Sequence, residues 1–95
     1  MSAYLVAEME VSDPETYARY RAQVPGVIAA HGGRFLVRGG TAEAREGAPP
    51  AGWVVVVEFP DMATARRFYD GPDYQAILPL RLAASQGRLY LVEGA

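Results

Sequence analysis

The chain is 95 residues long, with a formal net charge of −2, no cysteine and a single histidine. That length makes one domain, residues 1–95, which buries only about two-thirds of its unfolded surface, and the slight acidity excludes the basic face a nucleic-acid binder needs. Without cysteine there is no disulfide, thiolate metal site or cysteine nucleophile, and one histidine provides no cluster for a metal. Met1-Ser-Ala-Tyr-Leu-Val lacks a basic region and a long apolar core, so no signal peptide is expected. The apolar runs are too short to span a bilayer. A cytoplasmic protein without membrane attachment is therefore the expectation. All nine basic residues are arginine. A GC-rich genome explains that bias, but it also means that any cation site must use a guanidinium, which favours planar, bidentate anion contacts.

In chain order, Ala3 to Val11 alternates as a first strand, with Leu5, Ala7 and Met9 on one face and Tyr4, Val6 and Glu8 on the other. Asp13-Pro14 marks a helix start, the carboxylate capping free amides and the proline suiting the first helical position. Tyr17, Tyr20, Val24, Val27 and Ile28 follow as an apolar stripe. Pro25-Gly26 predicts a kink or a division into two short helices. Gly32 or Gly33 supplies the left-handed residue that closes the helix.

Residues 32–59 read as a hairpin. Its arms are Gly32 to Gly40 and Trp53 to Phe59, and its connection, Thr41 to Gly52, has no apolar anchor and is expected to be weakly ordered. Alternation in the first arm places Phe35 and Val37 on one face and Arg34, Leu36 and Arg38 on the other. Asp61 caps a helix carrying Met62, Ala65, Phe68 and Tyr69. A turn at residues 70–73 restarts a helical segment, Tyr74 to Ser85, with Pro79 in its middle. Gly87 ends it, and Arg88 to Glu93 is the last strand.

The order β-α-β-β-α-β is the split βαβ, or ferredoxin-like, arrangement of the α+β class. Right-handed crossovers put the helices on one face of a four-stranded antiparallel sheet. Val6, Leu36, Val54 and Val56 then form an apolar patch on the uncovered face, unusual for a soluble monomer. A homodimer with facing sheets, a dimeric α/β barrel, resolves this.

The residues Asp13-Pro14-Glu15 with Tyr17 and Tyr20, the string His31 to Gly40, Val57-Glu58-Phe59, Tyr69 with Pro72-Asp-Tyr-Gln75, Leu80-Arg81 and Leu91 to Gly94 carry a resemblance. With them the chain resembles the small bacterial domain-of-unknown-function family numbered 1330, within the dimeric α/β-barrel superfamily. The resemblance spans nearly the whole chain. It implies a ferredoxin-like protomer paired face to face and no particular activity. Superfamily relatives include cofactor-free monooxygenases, lactone isomerases and haem-degrading enzymes, an analogy of fold alone.

Candidate site residues follow from the charges and aromatics. Alternation puts Glu8, Arg34, Arg38 and Glu58 on the face away from the helices, where charges must be paired, solvated or used. Counting outward from the loop sets Arg38 opposite Val55 and Glu58 opposite Phe35, and a slip of one residue brings Arg34 across from Glu58. On this reading Arg34 holds Glu58, which positions or accepts a proton, while Arg38 meets a carboxylate or enolate. The competing reading is a set of Arg–Glu pairs that fix dimer register. His31, the chain's one histidine, is a candidate catalyst or a helix-end residue stabilised by the dipole. Tyr17, Tyr20, Tyr69 and Tyr74 line an aromatic pocket beside Arg81 as an anion clamp, or simply fill the core. Neither glycine pair matches a phosphate-binding pattern. No metal or cofactor is expected. Two functions compete: a binding or cofactor-free enzymatic protein with a small carboxylate or aromatic ligand between sheet and helices, and a non-catalytic accessory homodimer.

Overall fold

A computed structural model describes residues 1–95. The elements are β1 (Ala3–Val11), α1 (Pro14–Ala30), β2 (Arg34–Gly40), β3 (Trp53–Phe59), α2 (Met62–Asp70), α3 (Pro72–Ala84) and β4 (Ser85–Glu93). The strands form one antiparallel sheet in the order β2-β3-β1-β4, the ferredoxin-like topology expected of the β-α-β-β-α-β order. No helix is long and apolar enough to cross a membrane.

The helices α1 and α2 begin as their sequences dictate. Asp13 accepts the Thr16 backbone N–H at 3.2 Å and the Thr16 hydroxyl at 2.7 Å, and Pro14 follows at the first helical position. Asp61 likewise accepts the Thr64 N–H at 2.7 Å to start α2. At the other end of α1, Gly32 takes the left-handed conformation, φ +72°.

Three expectations are corrected. The first is the division of α1, which runs unbroken through Pro25. Its buried residues Tyr17, Tyr20, Val24 and Ile28 lie on both sides of the proline and pack into the same core, so tertiary burial holds the helix across the lost hydrogen bond. The second is the start of the last strand, expected at Arg88, which falls at Ser85 directly after α3 ends at Ala84. The Ala84 carbonyl is taken by the Ser12 and Asp13 N–H groups at 2.8 and 3.1 Å, and the Ser85 hydroxyl donates to the Arg81 carbonyl at 2.6 Å. With its last turn closed in this way the chain pairs at once with β1, Val11 opposite Ser85.

The third correction concerns parity in β2. Phe35 opposes Val57 and Arg38 opposes Val55, so three residues of β2 span two of β3 and Leu36 is extra. A second irregularity sits at Gly39, whose φ of +74° is the left-handed conformation that glycine accepts in a bulge. Beyond Leu36 the alternation is inverted. Arg38 therefore shares the helix-side face with Phe35, and Val37, pairing with Val56, joins the uncovered face.

Between helices and sheet lies one core of sixteen residues. Its centre is an aromatic chain, Phe59 to Phe68 at 5.1 Å between centroids, Phe68 to Tyr74 at 4.7 Å and Tyr74 to Tyr20 at 6.2 Å. Each such ring contributes roughly 1.5–3 kcal/mol by burial.

Candidate functional site

The helix α1 packs chiefly on α3 and stands away from the sheet, leaving a recess beneath it. Mouth included, this recess holds about 650 Å³ of empty space, of which about 60 Å³ can seat the centre of a water molecule. One water needs roughly 10–15 Å³ on the second measure, so several fit. Thirteen of the seventeen lining residues are hydrophobic, and the other four are Arg21, Arg38, Gly39 and Arg81. No carboxylate, histidine or lysine lines it. The cavity is apolar, and its only formal charges are three guanidinium groups.

Arg81 is the buried member, 7 % exposed. It occupies the position seven residues after Tyr74, on the face of α3 that also buries Ile77 and Leu78. Its Nε donates to the Tyr74 hydroxyl at 3.2 Å and its Nη1 to the Met9 sulfur at 3.6 Å. No carboxylate lies within 4.0 Å. Nη2 has no partner in the protein, yet no solvent-sealed side-chain nitrogen lacks one. Nη2 is thus reached by solvent, and Arg81 is one of the residues that line the cavity. Burying an uncompensated ion costs several kcal/mol. The dipole at the end of α3 returns only about 0.3–1 kcal/mol.

The phenols extend this polar end. The Tyr20 and Tyr74 hydroxyls lie 2.9 Å apart, and Tyr74 carries the bond from Arg81. Burial pushes the Tyr17 and Tyr20 hydroxyls up from their ordinary values, so both stay protonated and serve as donors. The cavity can hold and neutralise an oxyanion, but its lining offers no base that works near neutrality.

At the mouth, Arg38 stacks on Phe35 with its guanidinium 4.5 Å from the ring centre, and Arg21 lies 5.4 Å from that of Trp53. The remaining sequence candidates lie elsewhere. Tyr69 packs on Tyr74 at 5.3 Å behind the cavity. His31 bonds through Nδ1 to the Val27 carbonyl at 2.9 Å and sets its ring edge-on to Phe68, outside the lining. Arg34 and Glu58 stand on the opposite face of the sheet, joined by a 2.7 Å ion pair. Tyr4 donates to the same carboxylate at 3.4 Å. The Arg34 bond holds the Glu58 carboxyl below its ordinary value. The structure thus brings Tyr17, Arg38 and Arg81 to one cavity with Tyr74 behind them, and leaves Glu58, Arg34, His31 and Tyr69 apart from it. Sequence reasoning missed Arg21 and Trp53. The signal was present for Arg21, one helical turn beyond Tyr17 on the edge of the buried stripe.

The uncovered face has its own order. Read from β2 to β4, one row is Arg34, Glu58, Tyr4 and Val92, the next Val37, Val56, Val6 and Tyr90, and a third ends with Glu8 and Arg88, an ion pair of 2.9 Å. An apolar band therefore runs between two Arg–Glu pairs.

Among solved structures, the chain is similar to a protein of unknown function from Rhodopseudomonas palustris, at 20 % identity and a TM-score of 0.77, covering 99 % of this chain and 82 % of that one. It is similar to SnoaB, a cofactor-independent oxygenase from Streptomyces nogalater, at 17 % identity and a TM-score of 0.68, with 99 % and 93 % covered. A dimeric ferredoxin-like protein of unknown function from Jannaschia sp. CCS1 is similar at 16 % identity and a TM-score of 0.71, with 100 % and 99 % covered. At these identities the likeness shows the fold alone. No curated protein matches the chain. The family profile "Domain of unknown function (DUF1330)" matches residues 2–95, and the chain belongs to that family.

Proposed function

We propose that this protein binds a small apolar anion, an aromatic or enolised carboxylate metabolite, in the cavity beneath α1. The observation that carries the reading is Arg81, a buried guanidinium without a carboxylate, opening on an apolar cavity. The ligand's oxyanion takes the free Nη2 donors and its rings lie against Val24, Val55, Val57 and Leu89. SnoaB is a cofactor-independent oxygenase on the same fold. The donors of this cavity would equally stabilise an enolate or phenolate in such chemistry, with the substrate supplying its own acidic proton.

In the same proposal the protein works as a homodimer whose uncovered sheet faces meet, a dimeric α/β barrel. Leu36, Val37, Tyr90 and Val92 are all exposed on that face, and no helix covers it. The ion pairs beside the band then set the register. The Jannaschia relative is described as dimeric.

The test of the site is a thermal-shift comparison of 2-naphthoate with its neutral amide. The acid raises Tm and the amide does not; at a hundred times Kd the stabilisation is about 2.7 kcal/mol. Arg81→Met loses the response to the acid. An equal response to acid and amide, or a full response in Arg81→Met, sinks the reading and leaves the accessory homodimer.

A further inference from the structure

The cavity has a second cationic end. Arg21 and Arg38 come from different elements, α1 and β2, yet both reach the same mouth. Each lies over an aromatic ring of that mouth within cation–π distance, a contact that uses none of the guanidinium's hydrogen-bond donors. Neither belongs to an ion pair, although the sheet's other face pairs both of its arginines with glutamates. Glutamate is not scarce in this chain; it is absent from this lining.

The two cationic ends come from different elements. Arg81 touches Met9 on β1, and Arg38 stands on β2, with β3 between them. Two strand spacings set the backbones of Met9 and Arg38 on the order of 10 Å apart. Three guanidinium groups from α1, β2 and α3 also carry more donors than one carboxylate can accept. Between the ends the lining is apolar: Ala7, Val55, Val57 and Leu89 floor it, and Tyr17 and Val24 roof it. We infer that the ligand is an elongated apolar dianion, two or more rings long, with one anionic group at Arg81 and the other between Arg21 and Arg38. This rests on the Arg81 reading and adds the ligand's length and its second charge.

The test compares 2,6-naphthalenedicarboxylate with 2-naphthoate by titration calorimetry at low ionic strength, where a solvent-facing pair is least screened. On the unmodified protein the diacid binds about tenfold more tightly, the worth of one charge-assisted contact at a wet rim. In the double variant Arg21→Gln, Arg38→Gln that advantage falls to within about twofold. Both positions are exposed, so the variant folds, and its melting curve checks this. Equal affinities on the unmodified protein, or a tenfold advantage surviving in the double variant, overturn the second anionic end and leave Arg81 as a site for monoanions. If neither acid binds, the Arg81 reading fails and this inference fails with it.

Discussion

The two faces of the sheet use the same residue type in opposite ways. On the uncovered face each arginine has a glutamate on the neighbouring strand, Arg34 with Glu58 and Arg88 with Glu8, both across an antiparallel register. On the helix side three arginines surround a cavity and none has an acid. Paired, solvent-facing charges contribute little energy but fix alignment. An unpaired buried one costs stability in the free protein and is tolerated where something outside the chain completes it. The contrast is the one expected if the uncovered face meets another protomer and the cavity takes the small anion proposed above.

The largest effect expected is on the uncovered face. Val56→Asp puts a charge into the apolar band, and light scattering should then give 10.3 kDa in place of twice that mass. A dimer unmoved by this change rules out the facing-sheet arrangement. The unmodified dimer should also survive added salt, because its band is aliphatic.

Next come the supports of the cavity. Tyr74→Phe deprives Arg81 Nε of its acceptor and the Tyr20 hydroxyl of its partner, at a cost of about 1–3 kcal/mol measured by denaturant unfolding. Arg81→Met should act the other way. It removes the uncompensated charge, and each 1 kcal/mol so relieved raises Tm by about 4–8 °C in a domain of this size. A lower Tm in that variant would mean the protein already satisfies Arg81, and the contrast between the faces would lose its point.

These expectations draw on a sequence that was legible in parts. The alternation of β1 and the Asp-Pro helix start are local rules, and both appear in the structure; Arg34 meets Glu58 as well, through the one-residue slip in register. The stripe Tyr74, Ile77, Leu78, Arg81 has helical spacing, so Arg81 could be set beside the tyrosines in advance. The extra residue at Leu36 could not be read, because a bulge depends on the partner strand and leaves no mark in composition. That one irregularity carried Arg38 to the helix side. The same irregularity hid Phe35 as the partner of Arg38, and Trp53 was hidden as that of Arg21 because it lies on another element.

The smallest effect is in acid. Asp13, held low by the Thr16 hydroxyl, Glu58, held low by Arg34, and Asp61, held low by Thr64, all have folded-state values below their ordinary ones. Their stabilisation is present above the ordinary carboxylate range of about 4 and is lost as pH falls below it. Tm should therefore be flat from neutrality to about pH 5 and decline below it. In Glu58→Gln the decline should be shallower, whereas Arg81→Met should leave its shape unchanged.

The irregular strand has one more consequence, for how the chain behaves when crowded. β2 and β4 are the outermost strands, and each has a free row of backbone donors and acceptors. Such rows invite sheet-to-sheet growth between molecules and, in the extreme, fibrils. Two shifts of register within seven residues leave β2 without the even spacing that an added strand must match. The distortion that turns Arg38 to the helix side also spoils the β2 border as a template, which leaves β4 as the one evenly spaced edge.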